Sequence, residues 1–307
     1  MHKAPAMTRP GKVSSMFCMT RYHCRQLFGS RRWLLVLAMD VFLAVAIIID
    51  LKARLFWIPP KFHLAVPLNI WDVPFNVCAS NLMTIFILVV MFVFLTGDAL
   101  LRDERSGRLP MLVCRTQDRA TWFVSLIPAI ALAAVAFVAV AVLISLLAAL
   151  LVLPAGRSFS PFLTSTIHAI VSLRSSTFLP SILPSPPLFF LGVVGYLALA
   201  LCSIALLSVV TSLWWRETLS AFVPVAWILF VDNSIHSRLL QLGGGYERYT
   251  RYTFFEHLAV TNHWQWADSP TMAALYPFPV VASVITFVAL CMLWSVVGYW
   301  SARHVDL

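Results

Sequence analysis

Six runs of apolar residues, separated by charged or proline-rich stretches, dominate the hydrophobic pattern of the chain. A helix needs about 20 apolar residues to cross a bilayer, because about 30 Å of hydrocarbon is spanned at about 1.5 Å per residue. The fifth run is the shortest, since only fourteen uncharged residues separate Glu217 from Asp232. The pattern predicts an all-α, polytopic membrane protein forming one transmembrane domain with six helices, at about 33–51, 77–101, 121–153, 188–213, 218–232 and 277–300.

A shorter amphipathic stretch precedes the first run. Between Val13 and Phe28, apolar residues recur at helical spacing on one side, whereas Arg21 and Arg25 fall elsewhere. Such a pattern is typical of a helix that lies along the membrane surface rather than across it. We therefore expect an interfacial helix over 13–30.

The positions of Lys and Arg predict the orientation of these helices. If both termini are cytoplasmic, the inner parts of the chain hold fourteen of the 22 basic residues and the outer loops hold eight. Basic residues concentrate in short cytoplasmic connections of membrane proteins. We expect a multi-pass protein of the plasma (inner) membrane with the N-terminus and C-terminus inside, a cytoplasmic loop at 102–120, and extracytoplasmic segments at 155–187 and 233–276. More than thirty residues precede the first run, so we expect no cleavable signal peptide.

Composition supports the membrane prediction. The chain is 60% hydrophobic and only 11% charged, whereas an ordinary soluble domain is about a quarter charged. A net charge of +9 in a soluble protein would suggest nucleic acid, but here the basic residues flank the predicted spans. We expect a lipid bilayer as partner, no nucleic acid, and no intramolecular disulfide among the six cysteines.

Two aspartates lie inside the predicted spans, where ionisable groups usually face a cavity or a partner. Asp40 is placed to line a path, to accept a hydrogen bond from a neighbouring helix, or to pair with an arginine such as Arg32; we favour a structural pairing. Asp98 lies near the inner end of its span, four residues before Arg102, and is interpreted as a helix-end residue with that partner.

Catalytic and metal-binding alternatives have little support. Paired aspartates would permit intramembrane proteolysis, but Gly97 and Met39 precede these residues where Gly-x-Gly and Tyr would be expected. The sequence contains no G-x-S-x-G, H-E-x-x-H or G-x-x-x-x-G-K-[ST] pattern. The spacing of His236, His257 and His263, with Glu247 and Glu256, matches no common zinc pattern. We expect a non-catalytic subunit without a metal or cofactor of its own.

The loop at 102–120 carries the most specific pattern. A glutamate, a glycine and two leucines are followed by an arginine twelve residues after the glycine; these are Glu104, Gly107, Leu109, Leu112 and Arg119. Here the chain resembles the membrane subunits of type-2 ATP-binding-cassette (ABC) transporters, whose first cytoplasmic loop typically reads Glu-x-x-Gly-x-Leu, then apolar residues and a Pro-x-Ser-Arg-like end. Thr116 stands where that family usually has Pro, and Ser125 where a Lys is common. The end of the chain, from Trp300 to Leu307, is also similar.

The resemblance implies a function. The 102–120 loop would be a coupling helix that docks onto separate ATPase subunits, which would bind ATP and Mg²⁺. The chain would be the permease of an exporter, forming the substrate path with a second copy or a related permease. The alternatives are an intramembrane enzyme using Asp40 and Asp98, or a secondary transporter or channel driven by a gradient.

Overall fold

The computed structural model describes residues 12–56, 68–80, 82–107, 119–160, 163, 185–242, 245–260, 263 and 279–304. The regular elements in these ranges are helices: α1 (Lys12–Phe28), α2 (Arg32–Phe56), α3 (Asp72–Phe75), α4 (Leu82–Thr96), α5 (Ala99–Arg105), α6 (Arg119–Leu150), α7 (Pro186–Trp215), α8 (Val223–Ala226), α9 (Asn233–Leu242), α10 (Phe254–Leu258) and α11 (Val280–His304). Two π-helical segments, Asn76–Ser80 and Trp227–Asp232, and two 3-10 segments, Thr218–Phe222 and Tyr246–Tyr252, lie between them.

Helix α7 forms the centre of the bundle. It packs against α4, α6 and α11, and its side chains from Tyr196 to Ile204, apart from Leu199, are all buried. Helices α1 and α2 pack against α6, and α11 lies on α7 and α6 with much of its surface exposed. A helix that is apolar on every side, such as α7, is typical of a buried position in a membrane bundle.

The helices alternate between two ends of the bundle. At the first, which we call the α1 end, the start of α2 meets the end of α4 through Arg32 and Asp98, and the ends of α7 and α11 meet through Trp214 and Ser301. At the other, the far end, the backbone N–H of Ile70 donates to the carbonyl of Pro154 (3.2 Å). The chain therefore crosses the bundle repeatedly between the same two faces.

Five helical segments are long and apolar enough to cross a membrane: Arg32–Ala53, Arg119–Leu150, Pro186–Trp215, Thr218–Leu239 and Val280–His304. Together they give the described part of the chain the build of a helical membrane protein. The second predicted span, 77–101, is divided between the π-helical segment Asn76–Ser80 and the 15-residue helix α4. With 15 residues, helix α4 alone is too short to cross a bilayer. It packs against α7 and α2.

The fifth predicted run, 218–232, lies inside a longer helical segment. Helical geometry continues past Asp232 through α9 to Leu242, changing from 3-10 to α to π along the way. Asp232 does not end the helix, because its Oδ1 accepts a hydrogen bond from the backbone N–H of Phe254 (3.2 Å). A charged residue with a partner inside the fold is compatible with a continuing helix.

The far end is held together around Asp72, which is fully buried at the start of α3. Its carboxylate accepts hydrogen bonds from the hydroxyl of Ser160 (2.5 Å) and the backbone N–H of Asn69 (2.6 Å). Burial raises the pKa of Asp72 to about 6, against the effect of these two hydrogen bonds. The indole N–H of Trp71 adds a hydrogen bond to the carbonyl of Gly156 (2.7 Å), so the segments before α3 and after α6 are fixed to each other.

Two helical glycines provide a matched test of the packing. A Cβ added at Gly298 on α11 would lie 2.1 Å from Cζ of the fully buried Phe123 on α6, whereas a Cβ at Gly195 on α7 would meet nothing within 4 Å. Gly298→Ala is expected to destabilise the protein by about 1–3 kcal/mol through overpacking. Gly195→Ala is expected to stabilise it by about 0.5–1 kcal/mol, because alanine loses less backbone freedom in a helix. Thermal unfolding in detergent, followed by tryptophan fluorescence, checks both; equal melting temperatures would contradict the close α6–α11 packing.

Candidate functional site

Helix α5 forms the first part of the 102–120 loop. It follows α4 after a tight turn at Gly97 and Asp98, and it buries Ala99, Leu100 and Leu101 while Arg105 is exposed. The turn admits only glycine, since a Cβ on Gly97 would lie 2.8 Å from the carbonyl of Val93 and 2.9 Å from Cβ of Ala221. The turn between α4 and α5 therefore packs closely against the 3-10 segment Thr218–Phe222.

Asp98 connects three helices through two arginines. Arg32, the first residue of α2, donates from Nη1 and Nη2 to its two carboxylate oxygens (2.7 and 2.9 Å). Arg102 of α5 places Nε 3.1 Å from Oδ1, which confirms the i,i+4 partner expected for Asp98. Both arginines also bind the last turn of α4, Arg32 at the carbonyl of Phe94 and Arg102 at that of Leu95. Bidentate pairs of this kind fix geometry as well as charge.

Asp103 fixes α5 to α1 and α6. This carboxylate is fully buried, and it accepts hydrogen bonds from the hydroxyl of Tyr22 (2.7 Å), the amide of Gln26 (2.8 Å) and the indole N–H of Trp122 (3.4 Å). Burying a carboxylate is costly unless donors replace water. Because all three partners are donors, they suit an ionised aspartate, and a buried anion becomes the junction of three helices.

His23 and Thr20 extend the same junction along α6. The Nε2–H of the fully buried His23 donates to the carbonyl of Trp122 (3.3 Å), and the hydroxyl of Thr20 donates to that of Ser125 (3.1 Å). Burial lowers the pKa of His23, and the nearby Asp103 opposes this. A backbone carbonyl can only accept, so the imidazole is the donor in its contact with Trp122.

The exposed side of α5 contacts the end of α7. Arg105 donates to the hydroxyl of Thr218 (3.0 Å) and to the carbonyl of Arg216 (3.2 Å). Arg216 ends α7 in the left-handed conformation, with φ of 53°. Through this contact α5 is connected to α7 and to the segment that follows it.

The structure describes three of the five residues predicted to contact an ATPase. Glu104 is half-buried, and its Oε2 has no hydrogen-bond partner among the described residues. Gly107 closes α5 with φ of +68°, a conformation that favours glycine, and a Cβ there would lie within 4 Å of no atom of a described residue. Arg119 is the first residue of α6 and is half-buried. Leu109 and Leu112 lie outside the described residues.

Asp40 is located elsewhere, in the middle of α2. It is 4% exposed, its Oδ2 has no hydrogen-bond partner among the described residues, and it faces the π-helical segment that contains Cys78. The suggested pairing of Asp40 with Arg32 is therefore wrong: Arg32 binds Asp98, whose position beside the first turn of α2 only the tertiary fold reveals. Both oxygens of Asp98 bind Arg32, which lies eight residues before Asp40 in α2.

The histidines considered for a metal site bind separate protein groups at the far end. His257 Nδ1 lies 2.7 Å from the hydroxyl of Ser283, and His263 Nε2 lies 2.7 Å from that of Tyr196. His236 Nδ1 lies 3.4 Å from a carboxylate oxygen of Glu256. Within the described ranges, no group of three or more His, Cys, Asp or Glu side chains is placed to hold a metal ion. Hydrogen bonding between α7, α11 and the segment from 246 to 263 accounts for these rings.

The polar junction around α5 was only partly visible in the sequence. Asp98, Arg102, Glu104 and Gly107 were identified from spacing, whereas Asp103 and its partners on α1 and α6 were not. The one signal for Asp103 is its position: it is a charged residue within α5 that lies on the same side as buried Ala99 and Leu100. Its donors are 19 to 81 positions away in the chain and cannot be paired with it by local pattern.

The fold and this junction define a class: a helical membrane protein in which a short helix between two membrane segments is fixed by buried charge to several helix ends. The chain belongs to the family described as "Protein of unknown function (DUF2705)", which matches residues 41–307. Comparison with curated proteins and with solved structures found no match.

Proposed function

We propose that this chain is the permease subunit of an ATP-driven transporter of the type-2 ABC class, acting as an exporter. It would form the substrate path with a second permease subunit, identical or related, and would be coupled to separate ATPase subunits through the 102–120 loop. The observation that carries the proposal is the attachment of α5. The first turns of this loop are fixed to α1, α2, α6 and the end of α7 by ion pairs and buried hydrogen bonds.

This attachment suits the transmission of movement. A loop that only connected two spans would need no buried carboxylate, and a loop free to flex would absorb any force applied to it. Here Asp98 joins α5 to the start of α2, and Asp103 joins it to α1 and to the start of α6. Displacement of α5 by a bound protein would therefore move those helices as packed units, as in shear motions between domains.

The exposed edge of α5 is the side available to that protein. Arg105, Ser106 and Gly107 are exposed, and a glycine, which has no side chain, permits close approach of another backbone. Glu104 is half-buried and its Oε2 is buried, so this carboxylate oxygen is not part of the exposed edge. The predicted ridge of Leu109 and Leu112 follows directly in the chain and would supply the apolar anchor.

The charges at the α1 end support an orientation with this end in the cytoplasm. Among the side chains that the structure describes there, the exposed arginines outnumber the single exposed carboxylate, Glu217; they are Arg21, Arg25, Arg31, Arg105, Arg216 and Arg303. Basic residues favour the cytoplasmic side. Counting Asn76–Ser80 together with α4 as one further crossing gives six spans, with both chain ends on the same side.

A path between two subunits is favoured over one through a single chain. One cavity among the described residues, bounded by Leu88, Val138 and Leu201, has a volume of about 10 Å³, which holds about one water molecule. Long apolar faces of α2 and α11 are exposed, and they include Phe42, Ile285 and Met292. Lipid and a second permease subunit would cover these faces.

Substitutions in the predicted ridge test the coupling role. Leu109→Asp with Leu112→Asp is expected to abolish stimulation of the partner ATPase while the chain still inserts and folds, because an apolar anchor becomes charged. Gln117→Asp is the control, since it adds a negative charge to the same loop outside the ridge; each single Leu→Asp variant carries the same added charge as this control. ATP hydrolysis by the co-purified complex is measured in lipid nanodiscs. If the double variant stimulates hydrolysis as well as the unsubstituted chain does, the loop is not the coupling element.

A further inference from the structure

One face of α1 is exposed and carries both aromatic and basic side chains. Phe17, Arg21, Arg25 and Phe28 recur at intervals of four, four and three residues, so they form one stripe along the helix. Phe17 is 72% exposed and Phe28 is 39% exposed, whereas Met19, His23 and Leu27 on the opposite face are buried. The stripe faces away from α6, against which the buried face packs.

The charge on this stripe is of one sign. Arg21, Arg25 and the adjacent Arg31 are exposed, and none of them is in an ion pair with a described residue. The carboxylate that α1 contacts, Asp103, is buried and bound by donors from within the fold. The cations on the stripe are therefore available to an anionic partner outside the chain.

We propose that this stripe binds anionic phospholipid headgroups of the leaflet at the α1 end. Aromatic rings at both ends of a short amphipathic helix insert at the level of the acyl boundary, and the arginines between them extend to the phosphates above it. A protein surface would have to match two exposed rings separated by about 16 Å along the helix with two cations between them. The surface of a bilayer offers both an apolar boundary for the rings and phosphates for the arginines.

The opposite face of α1 contacts α5, so lipid bound at the stripe is connected to α5 through this helix. Tyr22 and Gln26 on α1 are the donors that hold Asp103 of α5. The position of α1 in the leaflet therefore sets the position of α5, whatever protein α5 contacts. The lipid binding itself does not depend on ATP coupling and can be tested on the purified chain alone.

The experiment titrates the full-length chain in detergent with phosphatidylglycerol or phosphatidylcholine of the same acyl chains, counting bound lipids by native mass spectrometry. We expect phosphatidylglycerol to bind more tightly than phosphatidylcholine. Arg21→Gln with Arg25→Gln should lower the apparent affinity for phosphatidylglycerol by about 30-fold at low salt. This figure follows from a loss of about fivefold for each arginine near a membrane surface. Arg21→Lys with Arg25→Lys keeps the charge and should retain the preference. Arg238→Gln with Arg248→Gln, exposed arginines of the far end, is the matched control.

A second readout assigns the binding to α1. Cys18 is exposed beside the stripe, so its alkylation by a water-soluble maleimide, measured on the peptide that contains it, should slow when phosphatidylglycerol replaces phosphatidylcholine in nanodiscs. The proposal is overturned if both lipids bind equally, or if the glutamine variant keeps the preference. It is also overturned if Cys18 is protected only when an ATPase subunit is added.

Discussion

Asp98→Asn is expected to destabilise the protein by about 2–3 kcal/mol, because it leaves two arginines without their counter-charge. This cost is at the low end of the range for breaking a buried ion pair, because the side chains of Arg32 and Arg102 are 25% and 24% exposed. Solvent therefore screens part of their charge. An asparagine can accept one hydrogen bond from Arg32 but supplies no charge to either arginine. The start of α2, the end of α4 and the start of α5 should then separate more readily.

Asp40→Asn is the matched control for that prediction. It makes the same chemical change within a predicted span, at a carboxylate whose Oδ2 has no described hydrogen-bond partner. Asp40 is in no ion pair with a described residue, so the substitution removes no salt bridge and should leave stability nearly unchanged. Melting temperatures and the denaturant midpoint in the same detergent compare the two variants. If Asp40→Asn destabilises the chain more than Asp98→Asn does, the assignment of Asp98 as the structural junction is wrong.

Asp103→Asn is expected to release α1 from α5 at a cost of about 2–3 kcal/mol. The substitution keeps the volume of the side chain but places an N–H₂ group among Tyr22, Gln26 and Trp122, which all donate to this position. At least one buried donor then loses its acceptor. We expect the loss to be local, because α2, α4 and α5 remain connected through Asp98.

Hydrogen–deuterium exchange measured by peptide in nanodiscs checks this expectation. Exchange should rise in α1 and α5 and stay unchanged in the buried middle of α7. Glu217→Gln, which removes an exposed carboxylate at the same end of the bundle, should alter none of these peptides. Unchanged protection of α1 in Asp103→Asn would show that apolar contacts with α6, not the carboxylate, hold α1 in place.

The helices themselves followed closely from the sequence. The amphipathic stretch predicted at 13–30 is α1 at Lys12–Phe28, and the third and fourth predicted spans lie within a few residues of α6 and α7. Helix length and hydrophobic period are local properties, so a single sequence displays them. The fifth segment was different: a charge at Asp232 suggested its end, but a hydrogen bond with Phe254 lets the helix continue.

The polar junction shows why sites are harder to predict than helices. Asp98 and Arg102 are four residues apart on consecutive turns, and their contact was predicted and found. Arg32 is 66 residues from Asp98, and from the sequence alone Asp40 is an equally plausible partner for this arginine. Which carboxylate an arginine meets depends on how the helices are offset along their axes, and that offset is set by packing of the whole bundle.

The orientation of the chain, the six-span count and the contact with an ATPase stay predictions. The distribution of Lys and Arg predicts the orientation, and the apolar runs predict the six spans. The resemblance in the 102–120 loop implies the contact with an ATPase, and the attachment of α5 gives a physical reason to expect it. Leu109 and Leu112, the predicted anchors, are the residues whose effect on a partner would be most informative.

The most direct test is to recover the tagged chain from native membranes in a mild detergent and to identify what remains bound by mass spectrometry. The proposed permease function predicts recovery of a separate soluble ATPase with a phosphate-binding loop, and loss of that protein from the Leu109→Asp with Leu112→Asp variant but not from Gln117→Asp. Recovery of the chain without any ATPase, under conditions that preserve known complexes of this kind, would contradict it and favour a gradient-driven transporter or channel.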